Sequence, residues 1–333
     1  MALYPGKLAY AGIALQPQTA TPVTPKKYIP VKDINFDTQP KHTYITEYRN
    51  KMESSRAPIR TGVDTTGTMT LYAYPEPFLY TLWGACGAAT TTSPAAGVYI
   101  HTITPAPADV PAWTMTQGLK DLPLYMYPNA KTKSWKFSIK GGEPASIDVE
   151  YIANAVVRTN NVTPVYQTVT PPPAYTFANA AAYIEGSVST LVQELALTIE
   201  RNTAEVNTMA GSLDATYIYP QDFKASGNVK LFFDSETEYS RFMGLPASTT
   251  PSMQTTATPL ALKFTMISVP VSATYNHAVT IEMPECYYDK IDFKRATDGY
   301  VGVAFDFTAA YNETAACSFK ATMQNGVSLV TPS

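Results

Sequence analysis

At 333 residues the chain has room for two ordinary domains, each able to bury its own core. Charged residues supply 15% of it, against roughly 25% in average soluble chains, so the charges are too few to coat a monomer: either Thr, Ser, Asn and Gln carry the solvation or, the favoured expectation, other subunits cover part of the surface. A net charge of −3 excludes a basic field that would hold a phosphate backbone by counterion release.

Residues 1–30, rich in Pro, Thr and Gln, keep neither helical nor strand periodicity for long and read as an extended arm. Ordering costs about 1–2 kcal/mol of backbone entropy per residue, so the arm is expected to order only against a neighbour. KKYIPVKDINFDTQ is a candidate strand, followed by an irregular charged stretch from Lys41 to Arg60. From Thr66 to Tyr74, Met69, Leu71 and Ala73 alternate with Thr68, Thr70 and Tyr72, the period of a strand with one buried face. Pro75 ends it. PEPFLYTLWG then predicts a short helix, with proline near its start and Gly84 at the C-terminal cap. The insertion from Ala85 to Asn129 carries strands at Val98–Thr104 and Ala112–Gln117, in a hairpin able to project from its domain. Ser134–Ile139 and Ile147–Ala153, separated by a Gly-Gly turn, form a closing hairpin.

VTPVYQTVTPPPAYTF, Val162–Phe177, is stiff and Pro-rich, which puts a domain junction there and divides the chain into 1–165 and 166–333. The first 165 residues carry 15 Lys and Arg against 11 Asp and Glu, the remainder 9 against 16. That asymmetry fits either contact between first and second halves of neighbours or drift between duplicated domains. LVQELALTIERN can be drawn as a helix, but Leu195, Leu197 and Ile199 alternate and the segment lies over the strand near Ile34 at an offset of 160, so it is read as a strand. At that offset Thr65–Gly84 also lies over Ala225–Gly244: Gly67 meets Gly227, Gly84 meets Gly244, Leu71 meets Leu231 and Glu76 meets Glu236. Asn228–Phe233 thus repeats the central strand and Ser235–Gly244 the helix. Ala261–Met266 with Ala278–Met283, and Lys290–Lys294 with Val301–Ala309, repeat the two hairpins. The expected fold is mainly β: two tandem similar β-sandwich or barrel domains, each with one short α-helix, plus an extended N-terminal arm and long loops.

Little in the sequence points to chemistry. His42, His101 and His277 belong to no ligand motif, and Cys86, Cys286 and Cys317 make an odd count without CxxC spacing. There is no nucleophile elbow, Walker loop or dinucleotide fingerprint. The acidic run Asp234–Glu238 opens the second predicted helix, where the helix dipole favours negative charge. No enzyme activity, metal or cofactor is expected. The opening residues lack a basic stretch followed by a long apolar core, and no segment reaches the roughly 18 apolar residues of a membrane helix, so neither secretion nor membrane spanning is expected. Tyrosine is enriched, 23 in all; its amphipathic ring suits subunit interfaces, sugar platforms and ordinary strands alike.

Taken with the duplication, the GIALQPQTATPVTPKKYIPV arm, the ASGNVKLFFDSETEYSRFMG strand-to-helix unit, LALTIERN and the HTITPAPA hairpin, the chain resembles the major tail tube proteins of long, non-contractile-tailed bacteriophages, of the type with two fused tube domains. The resemblance implies stacked trimeric, pseudo-hexameric rings around a lumen through which viral DNA passes without specific binding. It also implies tail terminator, tape-measure and tail-tip proteins as partners, and a place in the virion tail after assembly in the host cytoplasm. On that reading the arm, the insertion and the C-terminal segment bridge rings. Tyr28, Tyr99, His101, Trp113, Tyr125 and Tyr127 are the interface candidates, and loss of residues 1–25 is expected to leave a folded monomer that forms no tubes. A glycan- or surface-binding sandwich of a phage tail or decoration protein is the alternative.

Overall fold

A computed structural model of the chain describes residues 9–16, 21–25, 27–46, 58–119, 123–159, 172–209, 212–232, 237–244, 257–295 and 301–329. The start of the arm, most of the charged stretch, Asp234–Glu236 and residues 162–171 of the junction lie outside the described residues.

The first half comprises β1 (Ala9–Gln16), β2 (Lys27–Ile29), β3 (Asp33–Thr43), β4 (Ile59–Tyr72), α1 (Pro75–Cys86), β5 (Gly87–Ala95), β6 (Val98–Pro105), β7 (Ala112–Leu119), β8 (Leu124–Lys140), β9 (Ser146–Ala153) and β10 (Val157–Thr159). The second comprises β11 (Ala180–Ile184), β12 (Ser187–Ser189), β13 (Val192–Glu200), β14 (Ala204–Val206), β15 (Tyr217–Tyr219), β16 (Lys224–Phe232), α2 (Thr237–Phe242), β17 (Leu260–Pro270), β18 (Asn276–Arg295), β19 (Val301–Ala309) and β20 (Lys320–Asn325). LVQELALTIERN is a strand, and the alternation of β4 does bury Met69 and Leu71.

Strand pairing runs the same way in both halves. In the first, an inner sheet β3–β4–β9–β8 and an outer sheet β2–β1–β7–β8–β10 share the long strand β8. In the second, β13–β16–β19–β18 and β12–β11–β17–β18–β20 share β18. Every pairing is antiparallel. Each shared strand crosses from one layer to the other, and each carries a register shift where it turns, between Thr132 and Ser134 in β8 and between Tyr288 and Lys290 in β18. A bulge bends a strand locally and raises its twist, which is how one strand serves two layers of a sandwich. The sequence reading had only the part of β8 beyond its bend, Ser134–Ile139, and had split β18 into Ala278–Met283 and Lys290–Lys294. No sheet of the described residues closes into a barrel.

Apolar side chains of the two layers meet in one continuous core that spans both halves. α1 lies in it, buried on nearly every side, with Phe78 edge-on to Trp135 at 5.6 Å and to Phe137 at 5.6 Å. The helix runs past the expected cap. Gly84 sits inside it, where an added Cβ would stand 2.8 Å from Trp113 Nε1, and Gly87 at φ 101° takes the cap.

Two parts expected to reach outward fold back instead. β1 pairs along its whole length with β7, burying Tyr10, Ala11, Ile13 and Ala14. Burial of these consecutive residues, on both faces of the strand, supplies the free energy that the arm was thought to need from a neighbour. The hairpin expected of Val98–Thr104 and Ala112–Gln117 does not form: β6 pairs with β5 and, from Ile103–Ala321 to Tyr99–Asn325, with β20 of the second half's outer sheet, while β7 pairs with β1 and β8.

Candidate assembly interface

The two inner sheets join edge to edge. β8 pairs with β13 over Glu194–Glu200, with Leu197 opposite Phe137 and Ile199 opposite Trp135, all four side chains buried. The product is a continuous eight-stranded sheet, β3–β4–β9–β8–β13–β16–β19–β18. Its core-facing side is apolar. Its other face alternates in register and carries Asp33, Asp37, Asp148, Glu150, Glu194, Glu200, Asp292 and Asp306 against Lys136, Lys140, Lys224, Lys230 and Lys290, interleaved with Thr, Ser and Asn. Thr70 donates to Asp148 at 2.6 Å, Asn228 donates to Asp306 at 2.6 Å, and Lys136 sits 3.5 Å from Glu150.

Arg201, just past β13, braces the junction. Its Nε donates to the carbonyl of Ala85 at 2.8 Å and its Nη2 to that of Cys86, the last carbonyls of α1, while Nη1 reaches Ala106 O at 3.4 Å. The guanidinium also stands 5.0 Å over the Phe223 ring. Burial lowers its pKa, opposed by Cys86 and Asp109, and a cation at a helix C-terminus is further favoured by the dipole. No sequence motif marked this arginine; its position directly after an apolar alternating strand was the available signal.

The same sheet ends in two open edges. Among the described residues β3 has only β4 as a strand partner, and β18 from Lys290 onward has only β19. These are the counterparts of the two strands that meet inside the chain. At the β3 edge the Phe36 amide donates to Gln117 Oε1 at 3.4 Å, and the Phe36 carbonyl accepts from Tyr127 Oη at 3.3 Å. Beside it lies a cleft of about 430 Å³ lined by Phe36, Asp37, Thr38, Gln117, Gly118, Leu119, Pro123, Tyr125, Tyr127 and Val156.

The six tyrosine, histidine and tryptophan candidates separate accordingly. Tyr125, 43% exposed, and Tyr127 stand at this cleft, with Tyr127 stacked 4.7 Å from Phe36 and its pKa raised by burial and by Asp37. Trp113 is buried against Trp83 and Tyr80. Tyr28 is buried edge-on to Tyr10. His101 is wholly buried: Nδ1 bonds Thr91 Oγ1 at 2.9 Å, and Nε2 lies 3.1 Å from Asn325 Oδ1 and 2.9 Å from Val327 O. Facing two oxygens, Nε2 must carry the proton, so Nδ1 accepts from the threonine. Tyr99 stacks on His101 at 6.4 Å and is partly exposed. The sequence reading missed the β3 and β18 edges themselves, although the 160-residue offset already laid β3 over β13.

Among the described residues no group of three or more His, Cys, Asp or Glu gathers where it could hold a metal ion, and no helix is long and apolar enough to cross a membrane. No curated protein matches the chain. Against models of protein families, the one described as phage tail tube protein matches residues 11–309. With so much of its length covered, the chain belongs to the phage tail tube protein family and is a structural component of a phage tail.

Proposed function

We propose that three copies join edge to edge into a ring of six similar units, and that rings stack into the tail tube through which the viral genome enters the host. The observation that carries this reading is that one such edge-to-edge joint already exists within the chain, at β8 and β13, while among the described residues the counterpart edges β18 and β3 stand open. An open edge of this length is a template for pairing, and a head-to-tail contact closes into a ring when its rotation divides the circle. On this reading the halves 1–165 and 166–333 are duplicated tube domains, and the matching strand order supports that division.

The polar face of the eight-stranded sheet lines the lumen. There lysines are outnumbered by carboxylates and interleaved with them, so DNA meets no continuous cationic surface and slides instead of being held. Assembly takes place in the host cytoplasm, and tail terminator, tape-measure and tail-tip proteins cap and fill the tube. Electron microscopy of the purified protein at rising concentration tests this reading. Hollow filaments with threefold or sixfold-like rings are expected; a protein that stays monomeric, or a compact trimer that never stacks and binds sugars, would overturn it.

A further inference from the structure

The joint inside the chain is a template for the joint between chains. We propose that β3 of one copy pairs antiparallel with the C-terminal part of β18 of the next in one fixed register: Phe36 opposite Phe293, Asp37 opposite Asp292, Thr38 opposite Ile291 and Gln39 opposite Lys290. This rests on the ring reading above and adds to it which edges meet and at which residues.

The register follows from matched pairings. Phe36 faces Gly67 as Leu197 faces Gly227, so Phe36 holds the place of Leu197. Leu71 faces Ile147, which faces Phe137; Leu231 faces Val303, which faces Phe293. Residue 293 therefore holds the place of Phe137. The bulges agree with this, since the shift after Thr132 and the shift after Tyr288 lie equally far from these two residues. Leu197 is opposite Phe137 in the internal joint, and the same geometry sets Phe36 opposite Phe293.

A second, independent observation lies at the β3 edge. The Phe36 amide and carbonyl are held by the side chains of Gln117 and Tyr127 at 3.4 and 3.3 Å, long against the usual values of about 2.9–3.0 Å for N–H···O and about 2.7–2.8 Å for O–H···O bonds. Both backbone groups thus point away from β4 to the open side, and the two side chains stand in for a strand mate. An incoming strand replaces two weak bonds with ladder bonds and closes the cleft beside Tyr125. The counterpart cleft in the second half, bounded by Leu195, Phe264 and Met266, is already walled by Phe137 and Ile139 of β8. Pairing ends at Pro40, which has no N–H to donate and occupies the place of Arg201, so the joint between chains lacks the arginine brace. Asp37 opposite Asp292 weakens it further, and the diagonal Lys290 offsets part of that repulsion.

Because the Phe36 backbone groups face the edge, the neighbouring pair Asp37–Asp292 is the close, non-hydrogen-bonded kind, with Cα atoms about 4.5 Å apart, within disulfide reach. The test is Asp37→Cys with Asp292→Cys in a Cys317→Ser background, assembled and then oxidised. Covalent dimers and trimers are expected on a non-reducing gel, while a control shifted by two residues, Asp37→Cys with Lys290→Cys, stays monomeric. Cross-linking of the control alone, or of neither in particles seen to be assembled, overturns the register and leaves the tube reading standing. Should the variants not assemble, an electron cryomicroscopy map of the unaltered tube decides: Phe36 opposite Phe293 supports the proposal, and any other neighbour or register refutes it. A wild-type protein that forms no ring sinks both readings.

Discussion

The ring of Phe36 lies over Gly67, in the space a side chain on the adjacent strand would fill. In the second half the matching Gly227 makes room for Phe307 instead, which reaches it from the opposite neighbour, β19. Both positions need glycine for close approach, with different neighbours filling the gap. Overpacking a core costs about 1–3 kcal/mol, and Gly67→Ala is expected in that range because a ring can shift. Gly227→Ala should cost more, since its Cβ would also strike the backbone carbonyl of Ala196. Urea unfolding midpoints of the two variants check the order, and equal effects would contradict it.

Arg201 ties the first half to the second through three carbonyls. Replacement by Met takes the guanidinium from the carbonyls of Ala85 and Cys86, of which Cys86 keeps the amide of Ala106, at a cost of about 1–3 kcal/mol. Lysine is expected to recover little, because one ammonium cannot reach the oxygens that the guanidinium fork spans. Denaturation curves followed through tryptophan fluorescence report this, since Trp83 lies in α1 and Trp113 and Trp135 pack against it.

His101 joins the β5–β6 hairpin to the C-terminal strand, and burial holds its pKa below the ordinary value. His277 is lowered by burial as well. An unfolded chain binds protons on these rings near pH 6.5, where the folded chain still refuses them. The stability they contribute is therefore complete above about pH 6.5 and declines as the pH falls towards the folded pKa. Unfolding midpoints at pH 7.5 and 5.0 should show this loss in the wild type and a smaller one in His101→Phe. Hydrogen exchange at β6 and β20 is expected to rise first on acidification, and uniform exchange across the sheet would argue against a local origin.

Removal of residues 1–16 takes away β1, with Tyr10 and Ile13 from the interior. Full burial of one such side chain contributes roughly 1.5–3 kcal/mol, so the truncated chain is expected to lose several kcal/mol and expose the β7 edge. A thermal melt separates this from a pure assembly defect: an unchanged melting temperature with no tubes would restore the view of the segment as a bridge between rings.

What the sequence determined by itself is local or repeated. Thr-Met-Thr-Leu alternation in β4, Pro75 opening α1, and glycines 67 and 227 at equal positions identify strands, a helix and a second copy of the pattern, because side-chain period and backbone freedom are properties of neighbouring residues. That same offset correctly made a strand of LVQELALTIERN, which composition alone left open. Tertiary structure alone decided which strand edges stay open, that Tyr127 and Gln117 hold one of them, that β8 and β18 each bend through two layers, and that β6 docks on a strand more than 200 residues away. Alternation reports that a strand buries one face, and it is indifferent to the partner beside it. Edge pairing is settled by which distant backbones the packed core brings within hydrogen-bond reach.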